Sequence, residues 1–180
     1  YIDSEGEFSN PPSFIFMTGR IVQINISKGG VPKRPVAEAA VTPLGIEGDA
    51  VAHPSIHGGP RQALLLLTGE AIEEMKDLGY PLFFGALGEN LTTRGIDRRR
   101  FRAGQRYRAG EVILELTRPR SPCGILDGYG AGIREAIYDA SVKAGDPASP
   151  RWGMSGFYAS VIQPGVIRTG DPILLLDEMA

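Results

Sequence analysis

QRYRAGEVILELT, residues 105–117, decides the fold. It reads as strand, reversal and strand. RAGE (108–111) is the reversal, because glycine supplies the backbone freedom that a tight turn needs. Downstream, GFYASVIQ (156–163) and VIRTGDPILLL (166–176) read as further strands, with QPGV (163–166) as a second turn. Upstream, ENLTT (89–93) is another strand. GRIVQINIS (19–27) alternates Ile21, Gln23 and Asn25 against Val22, Ile24 and Ile26, the pattern of a half-buried strand. KGGVPKRPV (28–36) is rich in glycine and proline, so it turns and leads into a short edge strand.

Two helices attach to these strands. ALLLL (63–67) is an apolar run too short for an independent helix and fits a strand buried on both sides. It passes into TGEAIEEMKDLG (68–79), where Thr68 can cap, Glu70 favours the positive helix end, and Ile72, Met75 and Leu78 share one face. Gly79 is placed to end that helix. A second helix is expected over GIREAIYDAS (132–141). The chain holds 24 glycines and 14 prolines, which punctuate many short strands. The expected fold is therefore mainly β, a closed or partly open barrel of mixed strands with a few short helices, rather than a βαβ chain.

At 180 residues, 42% of them apolar, the chain has the size and composition of one domain. We expect a loosely held tail over residues 1–17 and a single domain over 18–180. No window is apolar enough to cross a bilayer and no secretory leader is read, so a cytoplasmic protein without membrane attachment is expected. The single cysteine excludes an internal disulfide and any multi-thiolate zinc or iron–sulfur site, which fits a reducing compartment. A net charge of −2 argues against nucleic acid as a partner. The charge is uneven, though: Arg94 to Arg120 carries nine arginines against Asp97, Glu111 and Glu115. That run suits a solvated face or a small anionic ligand.

Three stretches carry candidate chemistry. TRPRSPCGIL (117–126) sets the lone Cys123 behind Arg118 and Arg120, on a proline-stiffened loop after a strand. Cations favour the thiolate, which is the nucleophile and metal ligand, whereas a lone cysteine elsewhere is commonly an inert buried hydrophobe. Both readings stand on the residues alone. HGGPRQ (57–62) offers a bare backbone that can approach a ligand and Arg61 as a fork for an oxyanion, or else a structural turn. His53 and His57 are spaced i, i+4, but Pro54, Gly58, Gly59 and Pro60 forbid the helix that would make them a metal pair. In FFGALGENLTT (83–93), Glu89, Asn90, Thr92 and Thr93 gather polar groups that could meet a ligand or serve as caps. No phosphate loop, dinucleotide fingerprint or nucleophile elbow is present. Trp152, Phe157 and Tyr158 are expected to pack the barrel.

Taken in order, GDAVAHPSIHGGPRQAL, FFGALGENLTTRGID, GQRYRAGEVILELTRPRSPC and GMSGFYASVIQPGVIRTGD resemble a MOSC domain, the family named after the C-terminal domain of molybdenum-cofactor sulfurases. The resemblance runs from about Gly19 to Leu176 and is to the short, single-domain bacterial members, including those linked to resistance against N-hydroxylated purines. It implies a β-rich barrel and the molybdenum cofactor, molybdopterin. Cys123 would be the metal ligand and catalytic thiolate, with Arg61, Arg118 and Arg120 on the anionic cofactor. Asn90 and Thr92 would hold the pterin end or shape the substrate mouth, and His57 would line the cavity as a proton donor. The implied activity is reduction of small N-hydroxylated compounds with electrons from an external flavin or iron–sulfur protein, since this chain cannot house its own cluster. The alternative is a sulfur carrier, with a sulfur donor as partner and a persulfide on Cys123 for cofactor or metal–sulfur cluster assembly. A third is a scaffold that has lost its ligand. Pyridoxal phosphate belongs to the larger sulfurases, and no lysine here sits in a recognisable setting for it. Oligomeric state is not legible.

Overall fold

The computed structural model describes residues 18–50 and 58–177. The expected tail over 1–17 lies outside them. The strands are β1 (Thr18–Ile26), β2 (Arg34–Val36), β3 (Glu38–Thr42), β4 (Gly45–Ile46), β5 (Leu64–Thr68), β6 (Leu91–Arg94), β7 (Arg106–Ala109), β8 (Val112–Pro119), β9 (Phe157–Gln163), β10 (Gly165–Arg168) and β11 (Pro172–Asp177). The helices are α1 (Gly69–Asp77), α2 (Ile133–Ile137) and α3 (Ala140–Lys143).

The opening stretch is the hairpin β7–β8, with Ala109 opposite Val112 and Gly110 at φ 56°, the left-handed region that glycine enters freely. From β8 the ladder continues through β9, β5, β6 and β1, and on the other side through β11, which pairs back onto β1. Seven strands thus close into a barrel, mixed because β5 and β6 run parallel through the α1 crossover. Closure joins distant parts of the chain, Thr18 with Leu174 and Arg20 with Pro172. β2 extends the far end of β1 as the expected edge strand, and β10, β3 and β4 form a small second sheet.

The alternation of β5 explains its unbroken apolar run. Leu64 and Leu66 face the barrel core, Leu67 lies in the cluster beneath α1, and Leu65 lines a cavity. Phe101, Tyr107, Phe157 and Trp152 pack edge-to-face inside the barrel, with ring centroids 5.4–6.0 Å apart. Outside it, Ile72, Met75, Leu87, Leu126, Ile133 and Ile137 form a second cluster.

Three local expectations change. The strict alternation of β1 is broken by a register shift between Ile21 and Gln23, so Ile21 and Ile24 are both buried. Leu78 is 67% exposed because the helix has already ended: it is the cap residue, and Gly79 closes the turn onto the Lys76 carbonyl. The second helix is two, interrupted at Tyr138, whose backbone is extended, and restarted by Asp139, which accepts a hydrogen bond from the Val142 N–H at 2.8 Å.

Candidate functional site

β8 runs out of the barrel into the cysteine loop, and the loop is pinned at both ends. The Arg120 N–H donates to the Gly156 carbonyl at 2.9 Å, and the Ser155 hydroxyl donates to the Arg120 carbonyl at 2.6 Å. Beyond Pro122, Cys123 caps a 3-10 turn over Gly124–Tyr129, and buried Leu126 anchors that turn in the second cluster. Cys123 is half-buried and sits at a strand end, where the sequence put it.

The thiol opens on a cavity of about 710 Å³ whose wall also includes Arg118, Arg120 and Asn90. Arg118 lies over the Tyr158 ring, 5.1 Å from its centroid, so this aromatic packs the barrel end and also floors the cavity. Arg120 is only 5% exposed, and its Nη1 has no hydrogen-bond partner among the described residues. A guanidinium taken from water and left with an unmet donor is costly unless something else meets it.

Asn90 is committed to the framework. Its amide nitrogen donates to Asp49 Oδ2 at 2.8 Å and to the Asn25 carbonyl at 3.3 Å, and its oxygen accepts from the Leu65 N–H at 3.1 Å. Thr92 is fully buried behind the wall, donating to Glu89 Oε1 at 3.1 Å and accepting from the Asn25 amide at 3.2 Å. Arg61 is exposed on the 3-10 turn Pro60–Gln62. Its neighbours Gly59 and Gln62 line the cavity and its own side chain does not. His57 and His53 lie outside the described residues.

The arginine-rich run divides. Arg94 pairs with Glu73, Arg98 with Glu74, Arg99 with Asp97 and Arg106 with Glu115, all away from the cavity, so only Arg118 and Arg120 of the nine line it.

Two groups escaped sequence reasoning. Lys33 and Asp49 form a buried ion pair in the cavity wall, with Asp49 also accepting from the Ser27 N–H at 2.8 Å. No spacing rule joins positions 33 and 49. The signal is only a lysine amid glycines and prolines and an aspartate after Gly48. Glu89 was visible as part of a polar group, but its burial was not. It is fully buried, held by the Gly85 N–H and Thr92, and its Oε2 is unpartnered. Burial pushes its carboxyl above the ordinary carboxylate range, against the opposing hydrogen bonds and the charge of Arg120.

Among the described residues no three of His, Cys, Asp and Glu gather as a metal cage. The family model for the MOSC domain matches residues 53–174.

The chain belongs to the MOSC family.

That family is associated with the molybdenum cofactor. The MOSC chain is 31% identical over 147 residues to Protein YiiM of Escherichia coli (strain K12), covering 79% of this chain and 61% of that one. It is 30% identical over 149 residues to the uncharacterized protein YflK of Bacillus subtilis (strain 168), covering 82% and 63%. It thus spans about three-fifths of these relatives' length. The crystal structure of YiiM from Geobacillus stearothermophilus superposes with a TM-score of 0.65 at 28% identity, over 88% of this chain and 75% of that one. No helix among the described residues is long and apolar enough to cross a membrane.

Proposed function

We propose that the cavity binds molybdopterin, with its phosphate on Arg120 and its metal on the Cys123 thiolate. The bound protein would reduce N-hydroxylated compounds with electrons from a separate flavin or iron–sulfur protein. The observation that carries this reading is the Nη1 donor of Arg120, unmet among the described residues and nine-tenths buried in the same cavity wall as the only cysteine. A phosphate oxygen is the acceptor that such a fork suits, and a soft thiolate suits molybdenum.

Held by Cys123 and Arg120, the cofactor would supply two-electron redox chemistry to the cavity. The chain's own part is placement. The pinned loop holds Cys123 and Arg120 three residues apart, while Arg118 on Tyr158 presents a second cation at the mouth. The Lys33–Asp49 pair adds no net charge, so among the described lining residues Arg118 and Arg120 supply the positive charge. Overall, R–NHOH, two electrons from the partner and two protons (H+) from the buffered solvent would give R–NH2 and H2O, the N–O bond breaking and its oxygen leaving as water.

Elemental analysis of protein made in a cofactor-competent host tests this. Wild type is expected to hold about one molybdenum per chain, Cys123→Ala to lose it, and Arg120→Met to hold far less cofactor. Wild-type protein free of molybdenum, yet active in its cell, would overturn the reading.

Partial exposure of Cys123, between exposed Ser121 and Gly124, also supports a persulfide-carrying role. Mass spectrometry after incubation with a sulfur donor decides it: an added sulfur on Cys123 supports transfer, and none excludes it.

A further inference from the structure

We infer that Leu44 and Ile125 are specificity-determining residues at the cavity mouth, and that they select ligands whose polar end carries an apolar body. That the polar end is an N-hydroxyl group rests on the reading of the cavity as a molybdopterin site. The preference for an apolar body rests on the two side chains themselves. Six large apolar side chains are exposed among the described residues, and two of them, Leu44 and Ile125, line the same cavity. A single exposed leucine is ordinary, but two that flank one opening form an apolar rim to a binding site. They come from distant parts of the chain. Leu44 is in the turn between β3 and β4 and is 70% exposed, whereas Ile125 is on the 3-10 turn after Cys123 and is 56% exposed.

Both turns are pinned. The Leu44 N–H donates to Thr42 Oγ1 at 3.2 Å, and that hydroxyl donates to the Gly45 carbonyl at 3.1 Å. Gly45 has φ 122°, and a Cβ there would lie 2.7 Å from the Ala63 carbonyl oxygen, so this turn is seated against the residue that leads into β5. Beside Ile125, Leu126 is buried in the outer cluster, and its N–H donates to the Cys123 carbonyl at 3.2 Å. The fold thus holds the backbone firmly at both places and leaves the branched side chains in water.

Apolar surface continues inward from the rim. Ile46 lies two residues beyond Leu44 on β4, and it lines the cavity with Ala63, Leu65 and Leu87, all four of them buried. Leu65 is opposite Tyr158, and Tyr158 is opposite Arg118, so three adjacent strands set an aliphatic chain, a ring and a cation in one row. At the spacing of neighbouring strands, the leucine and arginine backbones are roughly 10 Å apart across that row. A ligand held by its polar end at Cys123 and Arg120 therefore has apolar wall beside it out to the mouth. A small polar ligand leaves Leu44 and Ile125 in water, whereas an alkyl or aryl body covers them. That difference in buried apolar area is the selection. For the proposed reduction, R in R–NHOH is a hydrocarbon-rich group.

N-alkylhydroxylamines from methyl to hexyl are the probe, because the head stays constant while the tail grows by one methylene at a time. Each is titrated into the full chain made in a cofactor-competent host, with binding followed by ligand-observed nuclear magnetic resonance and molybdenum assayed on the same samples. Wild-type affinity is expected to rise by up to about fourfold per methylene, the ~0.8 kcal/mol that each buried one contributes. With Leu44→Ser and Ile125→Ser combined, the step for the longer tails should fall below about twofold. Both positions are exposed, so these substitutions cost the fold little. A series that is flat in wild type overturns the inference, whether the rim meets water or a protein partner. Equal steps in wild type and the double variant also overturn it, and spare the molybdenum reading if the metal is present. Steps that depend on the two residues in a chain free of molybdenum support the apolar selection, while the reading of the reaction fails.

Discussion

Cys123 and Arg120 sit three residues apart on one loop, yet only the arginine is buried with an unmet donor. The cysteine is what the sequence exposes to view, because it is single. The arginine looks like one of nine, and only the fold separates it from neighbours that pair with Glu73, Glu74, Asp97 and Glu115. Glu89 is fully buried between Gly88 and Asn90, two residues of the cavity wall, and that burial has a consequence measurable without any ligand. Its carboxyl is raised by burial, so folded protein holds that proton more tightly than unfolded protein does. The stability this contributes is fully present below the ordinary carboxylate range and is lost as pH rises through the raised folded value. Asp97 and Asp139 act in the reverse sense, since hydrogen bonds hold them below the ordinary range and their contribution is lost on acidification. Those two are common to wild type and Glu89→Gln and cancel in the comparison. Urea unfolding across pH is therefore expected to show wild type losing stability relative to Glu89→Gln as pH rises above the ordinary carboxylate range. A pH-independent difference between them would mean that Glu89 does not titrate there.

At the scale of elements, the β5–α1 junction is where strand becomes helix without a loop. Thr68 belongs to β5 opposite Thr93, and its hydroxyl accepts from the Ala71 N–H at 3.3 Å to cap α1. Thr68→Ala should cost about 1 kcal/mol in urea or thermal unfolding, with Thr68→Ser retaining most of it. Equal losses in both variants would show that the methyl group, not the cap, matters. This junction was legible because cap, helix face and terminal glycine are local signals within twelve residues, and the β7–β8 hairpin was legible for the same reason. The cysteine loop was also placed correctly, since prolines after a strand mark an exit. Illegible were features set by partners far along the chain. The β1 bulge follows from its pairing with β6, and the Lys33–Asp49 pair needs the Asn90 amide to hold Asp49 in place. Thr92 is a framework residue because Asn25, 67 positions away, turns it inward. Polar residues near a ligand motif look alike in sequence whether they face the cavity or support it.

The whole molecule depends on a seam between its two ends, where β1 meets β11 and seals the barrel core, while α1 and α2 cover a second cluster outside. Whether these two clusters are one folding unit follows from β5, whose Leu64 and Leu66 belong to the first and Leu67 to the second. A strand cannot leave one side while the other stays packed, so opening the seam should unfold both. Gly19 provides the lever, being in the seam opposite Ile173. A Cβ there would collide with the Arg94 carbonyl and lie 2.6 Å from Ile96 Cγ1. Gly19→Val must therefore push β1 off β6 or β11, at a cost on the order of 1–3 kcal/mol. Trp152, the only tryptophan, reports on the barrel cluster, and the far-ultraviolet helical signal reports on the outer layer through α1 and α2. In urea both signals should fall at one midpoint in wild type and shift together in Gly19→Val. A tryptophan transition that moves while the helical one stays would show that the barrel and its helical cover are separate units. The cysteine loop, anchored in the outer cluster by Leu126 and in the barrel by Arg120, would then bridge two bodies rather than one.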